Sequence, residues 1–496
     1  MDRREFLRMM SWLGAAAATV PTAEWLSAEV AAEPWNPEDT EHLLSLLAEA
    51  IVELERKFSY ASAYSSWRDG VAMSRDTTGK SVNEIGFRNR GVALRIFDGE
   101  AFHEAAISDV SKDGIRNATH RLLADVERRP DRYSVERLSP LVQKWTTEME
   151  IDPASLSLET RAQAMEEEFA RIQWDEPRLR RASVSTEELR TRRIFVDRQR
   201  RLVDESTLIT HGLFLFGMEN GKPGFGGYRV SKRGGLELAK LTDEQIQTSR
   251  DEMVELFSAE RVPAGDYDVV LAPEVTGLLA HESFGHGVEM DQFVKGRAKA
   301  QQFLGKTVAS SIVDLYDDPS LPGERGSYPF DDEGVLSVPV QILRQGVFVQ
   351  PLTDLASALF LGTPRTPNGR SQSYDRKVYP RMSNTFIGRG SSDPAEVKAS
   401  LNDGLYLEGF RNGIEDPQGW GIQFTCARAR EYKGGKPTGR LFTPITVTGY
   451  VPEILGAVTM VGNDFDLAVG SCGKGFKEFV SITSGGPHVR TKARIS

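Results

Sequence analysis

Leu278-Leu279-Ala280-His281-Glu282-Ser283-Phe284-Gly285-His286-Gly287-Val288-Glu289-Met290-Asp291 is the stretch on which the reading of this chain turns. Two histidines bracket a glutamate that follows the first of them, close to the His-Glu-x-x-His pattern in which two imidazoles on one helix face hold zinc. Here the second histidine falls one residue late. On a regular α-helix, residues i and i+4 differ by about 40° around the axis, whereas i and i+5 differ by about 140°. Both imidazoles therefore reach one ion only where the helix widens by a π-type turn, or where it ends near Gly285. Gly285 and Gly287 make either departure easy.

A catalytic zinc usually takes three protein ligands and a water. The candidate third ligand is Cys472, in Gly470-Ser471-Cys472-Gly473-Lys474-Gly475, which reads as a glycine-flanked turn. It would bind as thiolate. Glu282 would then deprotonate the metal-bound water, the nucleophile, and later protonate the leaving amine. Two other readings of Cys472 stay open at this point: a small buried apolar residue, or half of a disulfide with Cys426.

Composition narrows the class. The 496 residues carry 61 basic and 71 acidic side chains, a net charge of −10, and only 2 cysteines. An acidic balance argues against a nucleic-acid binder, and two cysteines exclude both a disulfide scaffold and a four-thiolate zinc site. Beyond the first residues nothing approaches the ~20 apolar residues of a membrane span. Arg3-Arg4-x-Phe6-Leu7, the apolar run Met9–Val20 and small residues near Ala28–Ala32 read as a twin-arginine export signal over residues 1–32. The expected location is periplasmic or otherwise exported, and cytoplasmic if the signal does not function.

The chain divides in texture near 261–265, where Val-Pro-Ala-Gly breaks the pattern. Residues 38–262 read as an N-terminal mixed domain, with helices near Leu43–Leu54, Lys112–Glu127, Leu158–Ile172 and Thr242–Ala259. Its strands fall near 61–74, 81–89, 91–98, 193–202 and 206–218, with Asn220–Gly227 as a hairpin loop. Residues 263–496 read as short strands around the one histidine-bearing helix, begun by Pro273. The fold class is α+β, an N-terminal α/β-mixed domain followed by a β-rich C-terminal domain with one metal-binding helix.

Further pieces surround these residues: Val269-Val270-Leu271-Ala272-Pro273, Tyr316-Asp317-Asp318-Pro319, Gly326-Ser327 and Phe330-Asp331-Asp332-Glu333-Gly334. After them come Asn368-Gly369-Arg370, Arg381-Met382-Ser383-Asn384-Thr385, Val461-Gly462-Asn463-Asp464 and Cys472-Gly473-Lys474. In order and spacing this series resembles the TldD/PmbA family of zinc metallopeptidases, over about residues 265–490. The branch that keeps the histidine helix and the C-terminal cysteine is the TldD branch, and this chain has both. Pro367 and Phe476-Lys477 depart from the family's pattern.

The resemblance implies zinc on His281, His286 and Cys472, with Glu282 catalytic. It implies a peptidase acting on peptides or unfolded short chains, working as a homodimer or as a heterodimer with a family paralogue. Arg381 and Asn384 are candidates for holding the substrate backbone. The Asp317-Asp318 and Asp331-Asp332-Glu333 clusters read either as a second metal site or as side-chain turns on loops. The alternative function is a non-catalytic peptide-binding partner subunit with a structural metal, which requires a fourth protein ligand such as Glu289 or Asp291.

Overall fold

The structure is a computed structural model that describes residues 37–84, 90–474 and 478–496. The expected export signal lies outside them. Helix α1 (Pro37–Leu54) comes first, and residues 44–496 form one unit, to which the elements below belong.

The first sheet has eight strands: β1 (Tyr60–Asp76), β2 (Gly79–Glu84), β3 (Gly91–Phe97), β4 (Phe102–Ile107), β5 (Leu141–Thr146), β6 (Leu179–Asp197), β7 (Arg200–Glu219) and β8 (Lys222–Arg233). Their order is β4-β3-β1-β6-β7-β5, with β2 added on β1 and β8 on β7. Helix α2 (Lys112–Asp125) follows β4. Helices α3 (Leu158–Ile172) and α4 (Asp243–Glu255) cover one face of the long strands. Met165, Phe169, Ile172, Ile246 and Met253 pack there on Met73, Val184, Leu213 and Leu215. Both helices start where side chains can satisfy their free amides. The Ser157 hydroxyl accepts from the Thr160 amide, and Thr242 and Gln245 form a reciprocal capping box.

Two expectations fail in this sheet: 193–202 is not one strand, since β6 ends at Asp197 and β7 begins at Arg200. Asn220–Gly227 is not a loop: the turn is confined to Asn220-Gly221, both with positive φ, and β8 begins at Lys222. The glycines that imitate a loop serve helix packing instead. A Cβ on Gly226 would lie 1.7 Å from the Ser249 carbonyl oxygen on α4.

The remaining sheets follow residue 264. Strands β9 (Gly265–Leu271), β16 (Asp403–Asp416), β17 (Gly421–Lys433), β19 (Ile445–Tyr450) and β23 (Val489–Ile495) run in the order β16-β9-β23-β19-β17. Because β17 also pairs with β16, they close into a ring, to which β18 (Lys436–Phe442) and β20 (Met460–Val461) attach. A second sheet has the order β12-β11-β10-β15-β22-β21. Its strands are β10 (Leu315–Asp317), β11 (Val340–Arg344), β12 (Val347–Phe348), β15 (Asn384–Ile387), β21 (Asp466–Lys474) and β22 (Glu478–Gly486). The pair β13 (Gly369–Arg370) and β14 (Tyr379–Pro380) stands apart.

Helix α5 (Pro273–Ala280) packs against both systems, touching β16 and β17 on one side and β15, β21 and β22 on the other. Val275 through Ala280 are all buried. Gly277 lets the helix backbone lie directly on β22, since a Cβ there would meet the Gly485 amide nitrogen at 2.3 Å. This contact sets the histidine-bearing end of α5 beside β21. Among the described residues no helix is long and apolar enough to cross a membrane.

Candidate metal centre

Beyond Ala280 the helix widens. His281–Gly285 form one π-turn, closed by the His286 amide donating to the His281 carbonyl across five residues. A short 3-10 turn, His286–Val288, follows. The i+5 spacing is thus accommodated by the first of the two routes that helix geometry allows. The imidazoles end on one side of the chain, their ring centroids 5.1 Å apart and nearly perpendicular.

Cys472 completes the group, though not from a turn. It sits inside β21, paired with Val480 of β22, and β21 is the edge strand of its sheet. The glycine-flanked residues around it are ladder residues, drawn into extended pairing by β22. Donor atoms of His281, His286 and Cys472 all lie within 4.8 Å of one another, and Cys472 Sγ is 3.3 Å from His286 Nε2. Cys426 lies elsewhere in the core, and both cysteines are free and buried.

The electrostatics favour a soft anionic donor between two imidazoles. Burial opposes ionisation of Cys472, but His286 and His281 outweigh it and hold the thiol well below its ordinary range. Burial likewise opposes charge on His286, and Cys472 and Glu289 reverse this. His281 Nδ1 is buried with no hydrogen-bond partner. One thiolate and two imidazoles, with an unsatisfied nitrogen among them, fit a zinc-type site of three N/S ligands.

Around these three lies a supporting layer. His286 Nδ1 is 3.3 Å from Glu289 Oε2, which leaves Nε2 to face Cys472. Glu289 receives Lys474 Nζ at 2.9 Å and stands 3.7 Å from the Arg381 guanidinium. Burial would raise its pKa, but Lys474 and His286 hold it at about 2. Lys474 also engages Asp291. Glu289 and Asp291 are therefore tied to Lys474, and among the described residues the cluster of donors numbers three. A carboxylate behind a ligating imidazole orients it, and losing one typically weakens metal binding by about 10–100-fold. Glu289→Gln is expected to weaken zinc by that factor, as read by competition with a chromogenic chelator.

Glu282 is 5% exposed, and burial raises its carboxyl above the ordinary range despite His281 and His286. Strand β16 passes directly over it: a Cβ on Gly413 would lie 2.5 Å from Glu282 Cγ. Only glycine at 413 permits that approach. Glu415, two residues on, has a buried Oε1 without a partner and is pushed up to about 8, chiefly by burial. Neither Gly413 nor Glu415 could be found from motif spacing, because β16 lies far along the chain and its polar composition resembles a loop.

Arg381 and Asn384, expected at the substrate backbone, bond the chain itself instead. Arg381 is 1% exposed and donates to the Cys472 carbonyl at 2.7 Å. Asn384 Nδ2 donates to the Asp318 carbonyl and to Ser327 Oγ, and its Oδ1 accepts from Thr483. Asp317 is enclosed by Ser383, Thr385 and Asn368. Asp331 accepts from the Glu333, Val335 and Gly369 amides, and Asp332 from Ser371. These acids are turn and strand-crossing scaffolds.

Residues 264–495 match the family profile described as PmbA/TldA metallopeptidase C-terminal domain. A metalloprotease of Archaeoglobus fulgidus is 31% identical over 292 residues, 59% of this chain and 67% of that protein. One of Methanocaldococcus jannaschii is 27% identical over 426 residues, 84% of this chain and 92% of that one. A zinc metalloprotease TldD homolog of Saccharolobus solfataricus is 30% identical over 230 residues, 46% of this chain and 51% of that protein. The match spans about half the length of several such relatives. The crystal structure of TldE from Thermococcus kodakarensis superposes with a TM-score of 0.68 at 14% identity, over 91% of this chain and 100% of that one, which shows a shared fold. The chain belongs to the PmbA/TldD family.

Proposed function

We propose that the chain is a zinc-dependent peptidase acting on peptides or unfolded short polypeptides. The observation that carries this reading is the convergence of His281, His286 and Cys472 beside the buried carboxyl of Glu282, with no fourth protein donor among the described residues. Zinc held by those three supplies Lewis acidity toward a carbonyl and makes water a better acid. Glu282 takes the proton of the attacking water and returns it to the leaving amine. Its raised affinity for a proton suits a group that must do both near neutral pH. Glu289 and Lys474 fix His286, and Arg381 fixes the strand that carries Cys472. The open edge of β21 offers backbone groups on which an extended peptide can pair. Relatives named as metalloproteases, one of them as a zinc enzyme, support the same reading. We also propose twin-arginine export, and pairing with a second copy or a family paralogue.

The test uses the full chain and an unfolded substrate such as casein. Cleavage is expected, abolished by 1,10-phenanthroline and restored by stoichiometric zinc, with a folded control protein left intact. Cleavage indifferent to the chelator would exclude the metal from the reaction, and no cleavage under any loading would exclude the peptidase.

A further inference from the structure

Strand β16 carries a cation that the site described so far does not use. Arg411 is the extra residue of the bulge between Phe410 and Asn412. Bulges re-aim a side chain, and they recur beside active sites. Its guanidinium is half-buried, sits 5.6 Å from the centroid of Phe225 on β8, and makes no hydrogen bond or ion pair among the described residues. Phe225 in turn packs with Phe214 and Phe216, giving the cation an aromatic wall. The buried Cys426 thiol acts in favour of its charge, and Arg428, which opposes it, is already paired with Glu252 and Glu408.

Several other buried arginines have a carboxylate partner: Arg193 has Asp204, Arg95 has Glu333 and Arg161 has Glu188. Partial burial disfavours the charged form of Arg411 and pulls it below its ordinary value. Its chain neighbours lie beside the candidate metal centre. A Cβ on Gly470, two residues before Cys472, would lie 4.0 Å from the Phe410 ring. Gly413, two residues after Arg411, is the one lying on Glu282. At about 3.3 Å per residue, Arg411 stands about 7 Å along the strand from that contact, within two residues of an extended peptide.

We propose that Arg411 binds a carboxylate of the substrate, so that the site takes peptides with an acidic group within a few residues of the scissile bond. The proposal rests on the peptidase reading and names its substrate class. The carboxylate comes from an Asp or Glu side chain or from the peptide's own C-terminus. Either presents two oxygens to the guanidinium fork, and the aromatic wall shields that pair from water.

Binding, rather than cleavage, tests it. Fluorescein-labelled hexapeptides of Ala, Ser and Gly carry Glu or Gln at each position in turn, each with a free or an amidated C-terminus. Anisotropy is read on the full-length Glu282→Gln chain, so that the peptides stay whole, and from initial values on the unsubstituted chain. One carboxylate arm is expected to bind about tenfold more tightly than its neutral match, and that arm identifies the source. The gain should vanish in Arg411→Gln and return in part in Arg411→Lys. Equal binding of all matched pairs, or a preference undiminished in Arg411→Gln, overturns the proposal. Peptides bound with the preference but never cut by the unsubstituted chain would instead remove the peptidase reading alone.

Discussion

Cys472→Ser is expected to empty the metal site, taking zinc in the purified chain from about one ion to less than about a tenth, with cleavage falling alongside. The substitution nearly preserves shape. It replaces a thiol that His286 and His281 hold well below its ordinary range with a hydroxyl that stays protonated at any working pH. His281→Ala should act equally, because His281 is 6% exposed and lies in the π-turn that aligns it with His286. Cys426→Ala is the control. That thiol is wholly buried, its pKa raised chiefly by burial, and it stands outside the donor group. Metal content by mass spectrometry decides the matter, and a Cys472→Ser chain that keeps its full zinc would end the ligand assignment.

Glu282→Gln is the second large effect. The amide keeps size and burial but can neither take nor return a proton. A positioned acid–base group typically contributes 10²–10⁴-fold, so kcat should fall by about that much while zinc content stays near one per chain. Retained zinc separates this result from loss of the site. A Glu282→Gln chain with more than about a tenth of the normal kcat would remove Glu282 from the proton transfers.

The histidine-bearing helix was legible because helix geometry leaves few solutions. A His-to-His step of five residues needs a π-turn or a helix end, and the chain adopts the π-turn from His281 to Gly285. Helix α3 was legible to the residue, since Leu158–Ile172 has helical periodicity. What could not be read locally was set by distant partners. Gly470-Ser471-Cys472-Gly473 has the composition of a turn, yet Val480 and its neighbours pull it into a ladder. Gly404–Leu407 read as a whole strand. Beyond it Gly409, Arg411, Asn412 and Gly413 look like loop, although β17 carries the pairing on to Asp416 through a bulge. Arg381 looked available for substrate because nothing in its neighbourhood announces that the Cys472 carbonyl takes its guanidinium.

His286 and Cys472 stand 186 positions apart in the chain, one in the 3-10 turn that follows the π-turn and one on an edge strand. An ion gripping both is a reversible cross-link across most of the C-terminal half. By the polymer argument applied to disulfides, tying a loop of that length restricts the unfolded chain by about 5 kcal/mol. The proposed ion would thus also act as a clasp: a chain deprived of it would be easier to unravel and to digest.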